Sequence, residues 1–246
     1  MSIITLITCK ALEYLYAFNF MKLIPDESKQ TELSLLSIQE RFLPWISRTD
    51  FVSLLEAYLD ALSEIQKKIN LTGSSLRKDM LYHVQESLEL FFLLDERYQE
   101  DSINLLDVGS GGGFPAIPLA TALPSWRIVM TESTQKKAIF LNWIKQGLNL
   151  SNTLVYSGRV EDWIETKPAY RCDILTAKGV GKTLYLMNLA RALLKPKGLL
   201  ILWKNIAEVE GQLKSNSDFT LDKMHTTSLG KTVLSVRYSG KKARVR

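Results

Sequence analysis

A run of glycines behind an acidic residue is the first feature of this chain that could do chemistry. It lies in the segment Asp107-Val108-Gly109-Ser110-Gly111-Gly112-Gly113-Phe114. Glycine at alternate positions lets the backbone turn sharply and approach a ligand closely. The apolar run before the segment predicts a strand, and the residues after it predict a helix. Strand, glycine turn and helix in this order predict a nucleoside-cofactor site at the carboxyl edge of a parallel sheet.

The type of cofactor is indicated by two positions of this loop. A dinucleotide loop of the form G-x-G-x-x-G needs its third glycine at position 114, where this chain has Phe114. The carboxylate of Asp107 would repel a pyrophosphate, but it can accept hydrogen bonds from an ammonium or lie beside a sulfonium. We therefore expect S-adenosylmethionine. Its predicted contacts in the loop are Asp107, Gly109, Ser110, Gly111, Gly113 and Phe114.

Two more segments can hold the nucleoside part of this cofactor. Glu132 ends the second predicted strand, where an acidic side chain can accept both ribose hydroxyls. After the third strand, backbone near Val160 can meet an adenine edge, with Glu161 or Asp162 near the exocyclic amine. An acidic residue alone at the start of a helix is equally typical of a solvated surface. The prediction depends on these residues occurring together with the glycine loop.

The pattern of apolar residues after residue 103 indicates the fold that positions these residues. Short apolar runs alternate with helical patterns, which is typical of a parallel sheet built from strand-helix units. The linker Ser228-Leu229-Gly230 is too short for a crossover helix, so the last two strands form an antiparallel hairpin. Among doubly wound α/β folds, this ending resembles that of the Rossmann-like class I methyltransferases. The predicted strands are Ile103–Val108, Arg127–Glu132, Thr153–Tyr156, Cys172–Thr176, Leu199–Trp203, Phe219–Thr227 and Lys231–Tyr238.

Residues before the sheet have helical periodicity. Apolar spacing predicts an amphipathic helix from Phe51 to Ile69 that stops at Gly73, and a second helix from about Lys78 to Asp95. With the segment Leu33–Leu43, these helices form a cap. The predicted organisation is an N-terminal extension (1–34), a helical cap (35–98), a methyltransferase domain (99–239) and a basic tail (240–246).

Composition excludes several classes of protein. The chain has 46% hydrophobic and 23% charged residues, as ordinary globular proteins do. Cys9 and Cys172 are far apart and there are only two histidines, so we expect no disulfide framework, no metal site and a reducing, cytoplasmic setting. Lys10 and Glu13 interrupt the apolar N-terminus, which predicts neither a signal peptide nor a membrane span. We also expect a monomer.

Charge and the chain ends leave alternatives open. A net charge of +5 is compatible with a phosphate-bearing partner, but it is also common in enzymes with small substrates. The tail Lys241–Arg246 can reach a nucleic-acid backbone or simply be solvated. Residues 11–20 can form an amphipathic helix, and Met21 can equally be the translation start.

From about Arg41 to Tyr238 the chain resembles the RsmG (GidB) family of bacterial methyltransferases, which modify N7 of a guanine in 16S ribosomal RNA. The glycine loop followed by Pro115 and Pro118 is the most specific part of the resemblance. The other matching segments are Lys68-Ile69-Asn70-Leu71-Thr72, His83-Val84-Gln85-Glu86-Ser87-Leu88 and Lys136-Lys137 before Phe140-Leu141. The resemblance implies a cap over a class I methyltransferase domain and a substrate of free ribosomal RNA or an assembling small subunit.

Two positions depart from the family pattern. Where the family has H-x-x-D-S-L, this chain has Glu86, which is one methylene longer than aspartate. Where the family has S-R-A after the fourth strand, this chain has Ala177-Lys178-Gly179, so a point charge replaces a forked guanidinium. These departures bear on activity and on the choice of target.

The reaction that the resemblance implies needs few catalytic groups, because guanine N7 carries a free lone pair and no proton leaves before it attacks. Lys178 and Lys204, at the ends of the fourth and fifth strands, can hold a phosphate or guanine O6. Lys178 can thereby position the substrate, and it also borders the cofactor. His83 and Lys136 are further candidates for RNA contacts. A solvated lysine and a packed histidine are the structural alternatives.

Two other functions remain open. A cofactor-binding, ribosome-associated module could have lost or altered its catalysis at Lys178. Gly181-Lys182-Thr183 resembles the end of a P-loop in a nucleotide hydrolase, but Thr176 stands where that motif needs its first glycine.

Overall fold

A computed structural model describes residues 33–73, 76–98 and 102–240. Several features considered above lie outside the described residues. They are the N-terminal extension through residue 32, with its possible helix at residues 11–20, Cys9 and Met21, and the basic tail from residue 241.

One sheet of seven strands organises the described part of the chain, in the order β3-β2-β1-β4-β5-β7-β6. The strands from β1 to β5 pair in parallel, and β7 pairs antiparallel with both β5 and β6. Their bounds are β1 Asn104–Val108, β2 Arg127–Glu132, β3 Thr153–Ser157, β4 Cys172–Ala177, β5 Leu194–Trp203, β6 Phe219–Thr226 and β7 Thr232–Tyr238. The predicted α/β architecture, a parallel sheet ending in an antiparallel hairpin, is confirmed.

Helices precede the sheet and connect its strands. The three cap helices are α1 Leu35–Phe42, α2 Phe51–Gln66 and α3 Arg77–Leu88. The connecting helices are α4 Ala116–Ala122, α5 Gln135–Gly147, α6 Val160–Thr166, α7 Thr183–Leu193 and α8 Ile206–Leu213. Because β1, β2 and β4 are parallel neighbours, the segments that follow them meet at one edge of the sheet. Within the described residues, no helix is both long and apolar enough to cross a membrane.

The cap is packed into the sheet. Buried residues of α2, such as Leu55 and Leu62, belong to the same hydrophobic cluster as Ile128 and Ile201 of the strands. A second cluster covers the opposite face of the sheet, where α7 contributes Leu186. The cap and one face of the sheet therefore share a single core, and burial of that core fixes where the cap lies.

The third cap helix, α3, is shorter than the helix from Lys78 to Asp95 that the sequence predicts. Helix α3 ends at Leu88, and residues Glu89–Leu93 form a 3-10 turn. Four of its five side chains are buried, including that of Glu89, so the turn lacks the one-sided pattern of a surface helix. Helix α2 likewise ends at Gln66, whose Oε1 accepts the backbone N–H groups of Leu71 and Thr72. The loop that follows α2 is turned toward the glycine loop as a result.

Strand β5 begins at Leu194, five positions before the predicted Leu199. The segment Lys195-Pro196-Lys197-Gly198 has the composition of a turn, but here it is an irregular start of the strand. The pairing of β4 with β5 shifts register there, and Lys197 has a φ of 66°. Gly198 is required because a Cβ would lie 2.9 Å from the carbonyl oxygen of Lys195.

Candidate cofactor and substrate site

The glycine loop follows β1 and has the strained backbone that its composition predicts. Gly109, Gly111 and Gly113 have φ values of 65°, 56° and 107°, in the region that side chains disfavour. A Cβ at Gly112 would lie 2.8 Å from Cγ2 of Thr72, in the loop after α2. The loop is therefore confined both by its own backbone and by the cap packed against it.

Tyr58 of α2 fastens the cap to this loop. Its buried hydroxyl donates a hydrogen bond of 2.7 Å to the carbonyl oxygen of Gly112, and its ring centroid lies 5.5 Å from that of Phe114. A buried hydroxyl with a partner is stabilising, and losing the partner leaves a carbonyl unsatisfied. The cap is thus held in a fixed position against the glycine loop.

We expect Tyr58→Phe to lower the free energy of unfolding by about 1–2 kcal/mol, because the Gly112 carbonyl would lose its buried donor. Urea denaturation measures this loss, and titration with S-adenosylhomocysteine should show weaker binding as the loop loosens. Tyr82→Phe, on the partly exposed face of α3, is the matched control and should change neither. Equal stability of the two variants would contradict this role of Tyr58.

Asp107 lies beneath the loop with one free oxygen. Thr176 of β4 donates a hydrogen bond of 2.7 Å to Asp107 Oδ1, while Oδ2 is buried and has no hydrogen-bond partner among the described residues. Burial raises the pKa of the Asp107 carboxyl to about 7, although Ser110, Thr176 and Lys178 oppose the shift. An orphaned, buried carboxylate oxygen is costly unless a donor occupies the site. A cationic amino group is such a donor.

Glu132 links the end of β2 to the same loop. Its Oε2 accepts the backbone N–H of Gly111 at 2.9 Å, and Oε1 accepts that of Thr134 at 2.7 Å. Each carboxylate oxygen can accept a further hydrogen bond, so both can still receive ribose hydroxyls. The structure therefore brings Asp107 and Glu132 to the two sides of one turn.

The two acidic residues of the segment after β3 take part in hydrogen bonds within the protein. Val160 begins α6 and is buried. Asp162 Oδ2 accepts the backbone N–H of Arg159 at 3.3 Å, and Glu161 Oε1 accepts the hydroxyl of Tyr185 at 2.9 Å. One oxygen of each carboxylate thus has a protein partner, and Val160 with its backbone and Glu161 stay the predicted adenine contacts.

The two departures from the family pattern meet in space. Lys178 Nζ lies 2.8 Å from Glu86 Oε2 and 3.1 Å from His83 Nδ1, and Lys231 Nζ of the hairpin lies 2.9 Å from Glu86 Oε1. A longer carboxylate and a shorter cation replace aspartate and arginine. The two replacements therefore form one ion pair in this chain, in which a longer carboxylate meets a shorter cation.

Burial sets the electrostatics of this pair. Burial alone would raise the pKa of the Glu86 carboxyl, but His83, Lys178 and Lys231 outweigh it and hold that pKa well below its ordinary value. Burial lowers the pKa of the Lys178 ammonium, although Glu86 opposes the shift. One carboxylate is shared by two lysines, so the cluster keeps an excess of positive charge.

Lys178 also lies close to two aromatic rings. Its Nζ lies 5.7 Å from the ring centroid of Phe114 and 5.9 Å from that of Trp203, at the end of β5. The His83 ring lies 5.2 Å from that of Phe114. Lys178 and His83 are therefore brought to the glycine loop, between the cap and the sheet.

The other two predicted lysines have different surroundings. Lys204 Nζ donates to the carbonyl oxygen of Gly181 at 2.8 Å and lies 3.2 Å from Glu208 Oε1. Lys136 is exposed in the first turn of α5. Lys204 thus stabilises the loop after β4, and neither lysine belongs to the cluster around Glu86.

The segment that resembles a P-loop is closed to phosphate. Glu208 accepts hydrogen bonds from both the backbone N–H and the hydroxyl of Thr183, at the start of α7. A carboxylate therefore occupies the helix end where a phosphate would bind, and it would repel one. In the described ranges, no group of three or more His, Cys, Asp or Glu side chains is arranged to hold a metal ion.

Three residues of the site were missed by reading the sequence. Tyr58 fits the apolar stripe of an amphipathic helix, and Lys231 follows an ordinary turn. Thr176 was considered only as a missing glycine, whereas its hydroxyl holds Asp107. A polar residue on a strand buried on both faces is the one signal that could have singled out Thr176.

Solved structures with a similar fold include an O-methyltransferase from Bacillus cereus in complex with SAH. It is 16% identical, with a TM-score of 0.53, and the match covers 80% of this chain and 99% of that one. This likeness supports the class I methyltransferase fold.

Curated relatives carry the name ribosomal RNA small subunit methyltransferase G. One from Leuconostoc citreum is 32% identical over 69% of this chain and 77% of its own length. Another from Sorangium cellulosum is 36% identical over 62% of this chain, and the match spans 64% of that relative. The model of the GidB family, rRNA small subunit methyltransferase G, matches residues 52–237. The chain therefore belongs to the GidB family of ribosomal RNA small subunit methyltransferases.

Proposed function

We propose that this chain transfers a methyl group from S-adenosylmethionine to N7 of a guanine in 16S ribosomal RNA. The observation that carries the proposal is the buried, unpartnered Oδ2 of Asp107 under a glycine loop, with Lys178 beside the same loop. The carboxylate fits a cationic amino-acid group, and the lysine fits an electron-rich substrate. Family membership supports ribosomal RNA as the substrate.

The residues of the loop fit this cofactor. Asp107 would accept hydrogen bonds from its ammonium, Glu132 would accept its ribose hydroxyls, and Val160 would lie against its adenine. The glycine backbone would approach its methionine part. When bound, the cofactor supplies an electrophilic methyl carbon on a positively charged sulfur.

The residues around Lys178 would orient the substrate. They would place the guanine with its N7 lone pair in line with the methyl group that the bound cofactor would supply as an electrophile, its sulfur keeping the electron pair. No proton is removed, so no general base is required. Lys178 would hold guanine O6 or the adjacent phosphate, and such positioning contributes several kcal/mol to the rate.

The opposing candidate is a ribosome-associated module that binds the cofactor without turnover. The ion pair between Glu86 and Lys178 speaks against it, because each departure from the family pattern compensates the other. We further propose that the protein acts as a monomer in the cytoplasm, on free RNA or on an assembling small subunit.

The test is transfer of labelled methyl from S-adenosylmethionine to naked 16S ribosomal RNA and to small subunits, followed by mass spectrometry of the nucleosides. We expect N7-methylguanosine from at least one of the two substrates. Ribosomal RNA from cells with and without the gene locates the modified base. Cofactor binding by calorimetry without transfer to either RNA form would instead support the non-catalytic module.

A further inference from the structure

The outer face of helix α5 has an unusual composition. The helix spans Gln135–Gly147 and contains three lysines (136, 137 and 145) but no acidic residue. Its inner face is buried in the core through Ala138, Phe140, Leu141 and Ile144. The helix thus carries a net positive charge on the side away from the core.

Two large apolar side chains lie exposed among these charges. Ile139 is 61% exposed and Trp143 is 51% exposed, whereas most large apolar residues of the described chain are buried. With Lys136 and Gln146, both exposed, they follow helical spacing and form one stripe, which we call the α5 stripe. Phe140 lies beneath, its ring centroid 6.3 Å from that of Trp143, and supports the indole from the core side.

The position of the stripe relates it to the site. Helix α5 starts where the Glu132 carboxylate accepts the backbone N–H of Thr134, at the edge of the sheet that holds the glycine loop. From there its 13 residues extend about 20 Å away from that edge. A strand whose base enters the site could therefore follow the helix for several nucleotides.

We propose that the α5 stripe docks unpaired ribosomal RNA next to the target guanine, with Trp143 stacking on a base and Lys136 contacting a phosphate. This inference rests on the proposed function for its partner. A flat aromatic ring amid cations and without carboxylates is complementary to exposed bases on a phosphate backbone. Base stacking on an aromatic side chain is typically worth about 1–3 kcal/mol.

The experiment uses the full chain with a 16S ribosomal RNA fragment and with small subunits as probes. We expect Trp143→Ala to raise the RNA dissociation constant and the KM for RNA about tenfold, and Trp143→Phe to restore most of the binding. Lys136→Gln should reduce the slope of log affinity against log salt by about one. Met224→Ala and Lys214→Gln are matched controls, because they change an exposed apolar residue and an exposed lysine elsewhere.

The outcomes separate this inference from the proposed function. RNA binding by Trp143→Ala within twofold of the unmutated chain would overturn the docking surface, even if methyl transfer is intact. Conversely, Trp143-dependent RNA binding without any methyl transfer would support docking and defeat the proposed activity. Loss of binding to anionic lipid vesicles in Trp143→Ala, with RNA binding unaffected, would show that the stripe has a different partner and would also overturn the inference.

Discussion

Asp107→Asn should weaken cofactor binding strongly and at the same time stabilise the protein at alkaline pH. The amide cannot pair with the ammonium group of S-adenosylmethionine, and losing a buried, charge-assisted hydrogen bond costs about 2–5 kcal/mol. We therefore expect the affinity for S-adenosylhomocysteine, measured by calorimetry at pH 7.5, to fall at least about 100-fold. Binding within threefold of the unmutated chain would contradict the role of Asp107.

The gain in stability follows from the raised pKa of this carboxyl. Its pKa is about 7 in the folded chain and about 3.9 when unfolded, so the folded state binds the proton more tightly. Protonation of Asp107 therefore stabilises the folded state. This stabilisation is fully present below about pH 4 and is lost as the pH rises through 7. The amide side chain of Asp107→Asn does not ionise, so the stability of the variant does not depend on this group's protonation. The advantage of Asp107→Asn in the free energy of unfolding should therefore grow by about 2–3 kcal/mol between pH 5 and pH 8.5.

Urea denaturation at both pH values measures this difference. Glu165→Gln, which removes an exposed carboxylate from α6, should give the same small effect at both. The same titration predicts that the affinity of the unmutated chain for its cofactor rises as pH increases from 5.5 to 7, because only the ionised carboxylate pairs with an ammonium. A pH-independent advantage of Asp107→Asn would show that Asp107 is already ionised at pH 5.

The double variant Glu86→Asp with Lys178→Arg should keep most of the methyl-transfer activity that either substitution alone lowers. Glu86→Asp alone is one methylene too short to reach Lys178, and Lys178→Arg alone is too long for the space between Phe114 and Trp203. Each single variant should lose about 10- to 100-fold in kcat. The double variant should recover most of the loss, with a coupling free energy of about 1–3 kcal/mol.

Two further measurements show whether the pair acts on the substrate or only on folding. Affinity for S-adenosylhomocysteine and the urea midpoint should change much less than kcat in Lys178→Arg, because the residue positions the substrate. Glu86→Gln should be worse than Glu86→Asp, because it leaves the largely buried Lys178 and the exposed Lys231 without their shared counter-charge. If both single variants keep full activity, or if their losses simply add in the double variant, Lys178 is not positioned by Glu86.

Much of this fold could be predicted from local patterns. The glycine loop, the strand before it and Glu132 lie close together in sequence, and the strand-helix alternation places them at one sheet edge. Six of the seven strands begin within one residue of the predicted position. The exception is β5. Its first residues include a proline and are typical of a turn in sequence, and in the structure Lys197 has a positive φ although it belongs to the strand.

The contacts that complete the site could not be predicted in the same way. Glu86, Lys178 and Lys231 come from a helix, a strand end and a hairpin separated by long stretches of chain. No local period relates such residues, so two separate departures from a family pattern could not be recognised as one ion pair. Tyr58 and Thr176 are similar, because their hydrogen bonds join elements that only tertiary packing brings together.

The order of the strands has a consequence for biosynthesis. Strand β7 is the last of the described strands along the chain, yet it lies inside the sheet between β5 and β6, and the turn before it carries Lys231 to Glu86. While a ribosome is still translating the hairpin, β6 has no neighbour to pair with and Glu86 lacks one of its two lysines. A nascent polypeptide released too early would therefore expose an unpaired strand edge, which invites aggregation and proteolysis. Only a translation product complete through Tyr238 can form the hairpin that places Lys231 beside Glu86.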